Sequence, residues 1–335
     1  MSDLPTAPSL LAVGDPLVAL VPTDPVTLEE ATGLLPYVGG AELNTAIGVR
    51  RLGVAASWLG RVGDDPLGRR VLRALADEHV DTSLVVVDPD APTGLYLREW
   101  LPDGVRRPYY YRHASAGTRL TEADWPTTWS AGPPTVLHVT GITAALSASA
   151  IHAVRSMVAR ATALGCRISV DPNYRHRLWP DRAEARRCLD ELASRSDVLL
   201  LSEEDADLLF DSTDPVRVRE GARELGVDIT VLKRGAAGAI AWRGDEQVVV
   251  GGAEVSAPVD PVGAGDGFDA GFLAATMCGL ALADAARCGA WCGARAVERV
   301  GENAGYPTLA ELPPDLRDKL AATGKAEQDP WTTSR

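Results

Sequence analysis

Arg167-Ile-Ser-Val-Asp-Pro-Asn-Tyr-Arg175 is a short strand-like run that stops at once in a polar, proline-containing break, and the same figure repeats along the chain. Upstream, Val136-Leu-His-Val-Thr140 is strand-like and the stretch from Ser147 to Leu164 is helical. Downstream lie a helix from Arg182 to Arg195 and the strand Val198-Leu-Leu-Leu201, ending in Ser202-Glu-Glu-Asp205. A helix from Val216 to Leu225 then leads to the strand Ile229-Thr-Val-Leu232, ending in Lys233-Arg-Gly-Ala-Ala-Gly238. Strands alternating with helices predict an α/β fold with a mostly parallel sheet. Ligands of such sheets bind beyond the carboxyl ends of the strands, where each of these polar clusters falls.

The amino-terminal part fits the same plan. Leu10 to Val21 is a strand interrupted at Gly14-Asp15-Pro16, where Asp15 serves either a ligand or the turn itself. Val38-Gly-Gly-Ala-Glu-Leu-Asn44 precedes a helix from Thr45 to Leu52. Its glycines allow close backbone approach and Asn44 offers a donor and an acceptor to a polyol, although an isolated Gly-Gly more often marks a plain Gly-rich loop. Ala55 to Gly60 is a strand, Arg61 to Gly68 a turn, and Arg69 to Glu78 a helix. From Thr93 to Arg112 the texture becomes a β hairpin with its turn at Pro102-Asp103-Gly104. It carries Tyr96, Tyr110, Tyr111 and Arg112, suited to a sugar acid or to a subunit interface. No linker or repeat interrupts residues 1–312, and a charged tail follows from 313 to 335.

Composition narrows the function. The 335 residues hold 33 basic and 46 acidic side chains, a net charge of −13, which argues against nucleic acid and against an anionic membrane as partners. No apolar run is long enough to span a bilayer and the start lacks a leader pattern, so a cytoplasmic location is expected. The five cysteines contain no CxxC pair, which leaves disulfides and structural zinc without support.

Asp260-Pro-Val-Gly-Ala-Gly-Asp-Gly-Phe268 carries the chemistry. Gly263, Ala264 and Gly265 leave backbone N–H groups approachable at the start of a helix, where unpaired donors and the helix dipole favour an anion. Asp266 stands beside that site as an ionised carboxylate able to take a proton from a hydroxyl; its alternative role is a simple helix cap. A Walker A loop is missing, since Gly324-Lys325 is followed by Ala326, and no Rossmann fingerprint opens the chain.

That segment closely resembles the carboxy-terminal signature of ribokinase/PfkB carbohydrate kinases, and Gly39 to Asn44 with Gly60 to Gly68 resembles the amino-terminal one. The resemblance covers roughly residues 8 to 310. Within the family the chain looks most like 2-keto-3-deoxygluconate kinases, through Thr93 to Glu99, Tyr110-Tyr-Arg112, Gly141-Ile-Thr143, Asp171 to Arg175, Leu201 to Asp205 and Leu232 to Gly235.

The resemblance implies a ribokinase-like three-layer sandwich with a small β-sheet lid from about 14–40 and 93–113, a lid that also pairs subunits into a homo-oligomer in several members. It implies ATP as donor with Mg²⁺, and leaves open a monovalent cation such as K⁺. Asp266 matches the general base, and Gly263, Ala264 and Gly265 the anion hole. Asp15, Gly40, Asn44, Tyr96, Tyr110, Tyr111, Arg112, Arg175 and Glu302 fall where the sugar acid is held. Ser202 and the turn Lys233, Arg234, Gly235, Ala236, Ala237, Gly238 and Ala239 fall at ATP, with Ala290 near the adenine. Asp205 corresponds to a carboxylate that meets hydrated Mg²⁺. Three departures stand out: Ala290 replaces an asparagine, Glu302 an aspartate, and Gly267 a residue with a side chain. The implied reaction is phosphorylation of 2-keto-3-deoxygluconate to its 6-phosphate. The alternatives are a neutral sugar such as ribose or fructose, another deoxy sugar acid, or a non-catalytic sugar sensor.

Overall fold

Eight strands build the central sheet: β1 (Ser9–Val13), β4 (Ala55–Leu59), β9 (Val136–Thr140), β10 (Arg167–Asp171), β11 (Val198–Ser202), β12 (Ile229–Lys233), β13 (Ala239–Arg243) and β14 (Glu246–Val250). They lie in the order β14-β13-β12-β11-β10-β9-β1-β4 in a computed structural model that describes residues 7–101, 106–129 and 132–323. Every neighbour is parallel from β12 to β4; β13 is reversed, pairing antiparallel with both β12 and β14, so β14 runs in the common direction again.

Both faces of this sheet are covered because its strands are apolar on both sides. Leu10, Ala12, Val198 and Leu200 point into one core, while their chain neighbours Leu11, Val13, Leu199 and Leu201 point into the other. Against the first face pack α1 (Ala41–Arg51), α2 (Pro66–Asp77), α8 (Ala264–Met277), α9 (Leu282–Ala296) and α10 (Pro314–Thr323). Against the second pack α3 (Gly141–Ala144), α4 (Ala148–Ala163), α5 (Arg182–Ala193), α6 (Glu203–Phe210) and α7 (Pro215–Glu224). The result is the expected three-layer sandwich.

A second sheet joins β2 (Leu17–Pro22), β3 (Leu34–Gly39), β7 (Leu95–Trp100) and β8 (Arg106–Tyr111) in the order β3-β2-β7-β8. The interrupted strand thus splits between sheets at Asp15: β1 enters the sandwich and β2 leaves it. The expected hairpin forms as β7 and β8, while its turn at 102–104 lies outside the described residues.

Three local expectations differ. Arg61 to Gly63, read as a turn, is β5 (Arg61–Gly63), paired in parallel with β6 (Val86–Asp88), because the Arg61 guanidinium is held by Asp88 and Asp124 at 3.0 and 2.8 Å. The helix placed at Thr45 starts at Ala41, so Gly40 is its N-cap and Asn44 falls in its first turn. The tail expected from 313 begins as α10, with Leu316 and Leu320 buried one turn apart in the first core; residues 324–335 lie outside the described residues. Among the described residues no helix is long and apolar enough to cross a membrane.

Candidate active site

The strand order reverses at β1, which has β4 on one side and β9 on the other. A crevice opens beyond the carboxyl ends of strands at such a switch. Asp15 follows β1, Thr140 closes β9, Asp171 closes β10, Ser202 closes β11 and Lys233 closes β12, so all five meet the crevice on one edge. Helix α8 delivers Asp266 to it.

The cap alternative for Asp266 is excluded by the geometry. Gly263 is the N-cap of α8, in the left-handed region at φ 84°, and no side chain caps the helix. A Cβ at Gly263 would stand 1.8 Å from the Glu302 carbonyl oxygen, so only glycine fits. Ala264 N–H donates to Pro261 at 3.3 Å and Gly267 N–H to Gly263 at 2.8 Å. The N–H groups of Gly265 and Asp266 between them find no backbone partner among the described residues. These two donors at the positive end of a 14-residue helix are suited to receive an anion. Tyr306 braces this end of the helix: its hydroxyl donates to the Gly263 carbonyl at 2.6 Å, and its ring fills the space where a Cβ at Gly267 would lie, 2.8 Å away. That contact explains the third departure, because any side chain at Gly267 would displace the tyrosine.

Asp266 is half-buried, and its Oδ2 accepts a 2.8 Å hydrogen bond from Asn44 Nδ2. Removal from water pushes its carboxyl up to about 6; the Asn44 bond opposes this and the nearby Glu302 charge adds to it. The fully ionised carboxylate expected from the helix dipole is therefore replaced by one poised near neutrality. Asn44 Nδ2 also lies 2.9 Å from Glu302 Oε2, which accepts Gly40 N–H at 3.2 Å, while Glu302 Oε1 accepts the Tyr96 hydroxyl at 2.5 Å. Asn303 Nδ2 completes the net through Asn44 Oδ1 at 2.8 Å. Glu302 thus fills its longer reach with protein partners.

Beside this net Tyr96 and Tyr110 pack with ring centroids 5.3 Å apart, and the Arg112 guanidinium lies 5.0 Å over Tyr110. Arg112 is buried and bonded to Asp15 at 3.1 Å. Burial pushes the Asp15 carboxyl up to about 6 against the pull of Arg112, and its Oδ1 is left without a partner. Tyr111 sits opposite Leu95, one step out of register with the Tyr96–Tyr110 pair, so it faces away and is 62% exposed. The structure does not bring it to the site. Arg175 stands exposed beyond β10, without an ion pair among the described residues.

On the other side of Asp266, Lys233 Nζ lies 2.9 Å from Asp171 Oδ2 and 2.9 Å from Asp269 Oδ1. Burial disfavours its charge, yet the two carboxylates raise its pKa well above the ordinary range. The same ammonium is 3.9 Å from the place of a Cβ on Gly265, beside the anion site. Arg234 is half-buried, Gly235, Ala236 and Ala237 form an exposed single turn, and Gly238 and Ala239 are buried at its return. Ser202 caps α6 reciprocally with Asp205. Asp205 Oδ2 accepts the Ser202 N–H and hydroxyl, and Oδ1 accepts Tyr174 N–H at 2.8 Å. Burial, then the charge of Asp171, pushes the Asp205 carboxyl up to about 6. Ala290 is packed into the first core on α9.

Sequence reasoning missed Glu42, Asp269, Asn303 and Tyr306. Glu42 is 1% exposed and its Oε1 accepts Thr140 and Thr143 hydroxyls at 2.6 Å each, while Oε2 has no partner and burial pushes the carboxyl up to about 7. Asp269 carried a signal, standing three residues after Asp266 on the same helix face.

Residues 8–309 match the pfkB family of carbohydrate kinases. The chain belongs to that family. The kinase is 39% identical over 276 residues to a 2-dehydro-3-deoxygluconokinase of Thermoproteus tenax, covering 81% of this chain and 83% of the relative. It is 35% identical over 288 residues to a 2-dehydro-3-deoxygluconokinase of Bacillus subtilis, covering 85% and 88%. A crystal structure of a Vibrio cholerae fructokinase double mutant, in a form bound to fructose, ADP and potassium ion, superposes on it with a TM-score of 0.81 at 27% identity, over 96% of this chain and all of that one. The kinase is an ATP-dependent carbohydrate kinase with a ribokinase-like α/β fold.

Proposed function

We propose that this kinase transfers the γ-phosphoryl group of ATP to a hydroxyl of 2-keto-3-deoxygluconate, giving 2-keto-3-deoxy-6-phosphogluconate. The observation that carries the chemistry is Asp266 standing beside the unpaired Gly265 and Asp266 N–H groups. The sugar acid lies along Tyr96, Tyr110 and Arg112, beside the buried Asp15, whose Oδ1 has no hydrogen-bond partner among the described residues, with Arg175 at the carboxylate. The acceptor O–H gives its proton to Asp266, its oxygen forms the new bond to the γ-phosphorus, and the bond to the ADP oxygen breaks. The helix N–H pair receives charge on the moving group, and Lys233 adds a fixed positive charge next to it.

Mg²⁺ supplies neutralisation of nucleotide charge. Among the described residues no cluster of three or more His, Cys, Asp or Glu forms a metal cage, and both oxygens of Asp205 are engaged by the protein. With its oxygens already held by the protein, Asp205 would serve a nucleotide-borne Mg²⁺ through water rather than as a direct ligand. The exposed turn 235–237 and Ser202 border the nucleotide. The small sheet acts as a lid that excludes water, and its exposed Leu34, Leu35, Tyr109 and Tyr111 form the face through which two copies associate in the cytoplasm.

The substrate choice is supported by the two deoxygluconokinase relatives. One observation favours a second reading, a neutral sugar: Arg112 is already paired with Asp15, which leaves, of the two arginines assigned to the carboxylate, Arg175 without an ion pair among the described residues. An ATP-consumption assay with 2-keto-3-deoxygluconate, 2-keto-3-deoxygalactonate, fructose and ribose, with and without K⁺, separates the readings. Turnover at least tenfold more efficient with the first sugar is expected. Preference for fructose or ribose overturns the choice, and Asp266→Asn with near-normal turnover overturns the base.

A further inference from the structure

Arg98 is 1% exposed, one of the largest fully buried side chains of the protein, and it is charged. It projects from β7 of the small sheet and meets Asp260, itself 0% exposed, through two bonds, Nη1 to Oδ1 at 3.2 Å and Nη2 to Oδ2 at 2.6 Å. Asp260 is the residue from which the catalytic turn departs. Its remaining capacity is spent on that turn and on the facing loop: Oδ1 also accepts Val262 N–H at 3.3 Å, and Oδ2 accepts Gly301 N–H at 3.1 Å. A second arginine of the same sheet, Arg106 on β8, donates to the Val259 carbonyl at 2.6 Å.

Two residues before Arg98 on the same strand, and so on the same face, Tyr96 holds Glu302, the residue after Gly301. One strand of the small sheet therefore fastens both walls of the anion site, residues 260–263 and 301–302. Burying two charges is costly, and a pair of apolar side chains of equal volume would serve packing at least as well. A fork that fixes both oxygens of a carboxylate serves geometry instead: it sets the angle from which Asp260 receives Val262 N–H, and with it the direction in which the next N–H groups point.

We propose that Arg98 is a positioning residue for phosphoryl transfer, acting through Asp260 to aim the Gly265 and Asp266 N–H groups and fastening β7 to the start of the turn that carries them. This inference rests on the kinase reading of the site but not on the identity of the sugar.

The test compares wild type, Arg98→Met, Arg98→Ala, and the double variant Arg98→Met with Asp260→Asn. Each is assayed with whichever acceptor the wild type phosphorylates, so that a neutral-sugar result refutes the substrate choice while Arg98 is still read. In Arg98→Met, kcat should fall at least thirtyfold while KM for ATP and for the acceptor stays within threefold. In Arg98→Ala, millimolar guanidinium should restore at least a tenth of the lost kcat at concentrations that leave the wild type unchanged. The single variants leave a buried carboxylate alone and can fold poorly; the double variant removes that charge and should recover a wild-type melting temperature yet keep the low kcat. Recovery of wild-type kcat in the double variant, or wild-type kcat with only a lowered melting temperature in the single ones, overturns the proposal.

Discussion

Asn44 donates a 2.8 Å hydrogen bond to Asp266 across 222 residues of chain, and the same amide nitrogen lies 2.9 Å from Glu302. It stands between two carboxylates and shields one from the other. The bond favours the ionised form of Asp266, whose carboxyl lies at about 6. In the wild type kcat/KM should therefore fall as pH drops through about 6. Asn44→Leu removes the favourable bond and leaves the Glu302 charge facing Asp266. Its acid limb should move to higher pH and kcat/KM at pH 7 should drop roughly tenfold or more, the worth of a hydrogen bond to a charged group. An unmoved limb in a pH–rate profile would separate Asn44 from the base.

Glu42 is buried with its carboxyl raised from 4.5 to about 7, and Asp15 is raised from 3.8 to about 6. Both folded-state values exceed the unfolded ones, so between them the native state holds protons that the unfolded chain has released. Stability should fall as pH rises from about 4.5 to about 7 and level off above it. Glu42 alone should contribute on the order of 3 kcal/mol across that window. Denaturant titrations at pH 5, 6, 7 and 8 should show the decline, and Glu42→Gln should flatten it.

The two arginines near the proposed carboxylate should behave differently. Arg175→Ala should raise KM for the sugar acid about tenfold, matching the loss of one charged hydrogen bond, and leave KM for ATP alone. Arg112→Ala should cost more, because Asp15 then stays buried without its cation. Steady-state kinetics varying each substrate separately checks both.

Lys233 neutralises two buried carboxylates at once. Lys233→Met should destabilise the fold by about 3–5 kcal/mol, as expected when a buried ion pair loses one partner. Adding Asp269→Asn should return part of that stability without returning turnover. Chemical denaturation and ATP consumption on the same samples read the two effects independently.

Much of this arrangement was legible because it is written locally. The alternation of apolar runs with polar breaks gave the α/β plan with a mostly parallel sheet, and Gly263 to Asp266 showed a helix start with approachable N–H groups through backbone chemistry alone. Other features were hidden by sequence distance. Nothing near Arg98 points to Asp260, 162 residues away, and nothing near Tyr96 points to Glu302, 206 residues away. Burial was equally unreadable: Glu42 looks like an ordinary first-turn acid until Thr140 and Thr143 close over it. Tyr111 was misplaced because three consecutive tyrosines alternate faces, and only the pairing with β7 tells which one looks inward. The tail beyond 313 looked merely charged although Leu316 and Leu320 were a helical face in plain view.

The place of β1 between β4 and β9 has a consequence for how the kinase comes into being. Its outer edge can pair soon after synthesis, but its inner edge waits for β9, some 126 residues later, and Asn44 waits a further stretch of the chain for Asp266. Such distant closures are late events in folding. A nascent or half-folded copy can hold a formed β1–β4 pair and still lack the contact between Asn44 and Asp266. The pairing of Asn44 with Asp266 therefore requires the chain to be in place as far as α8.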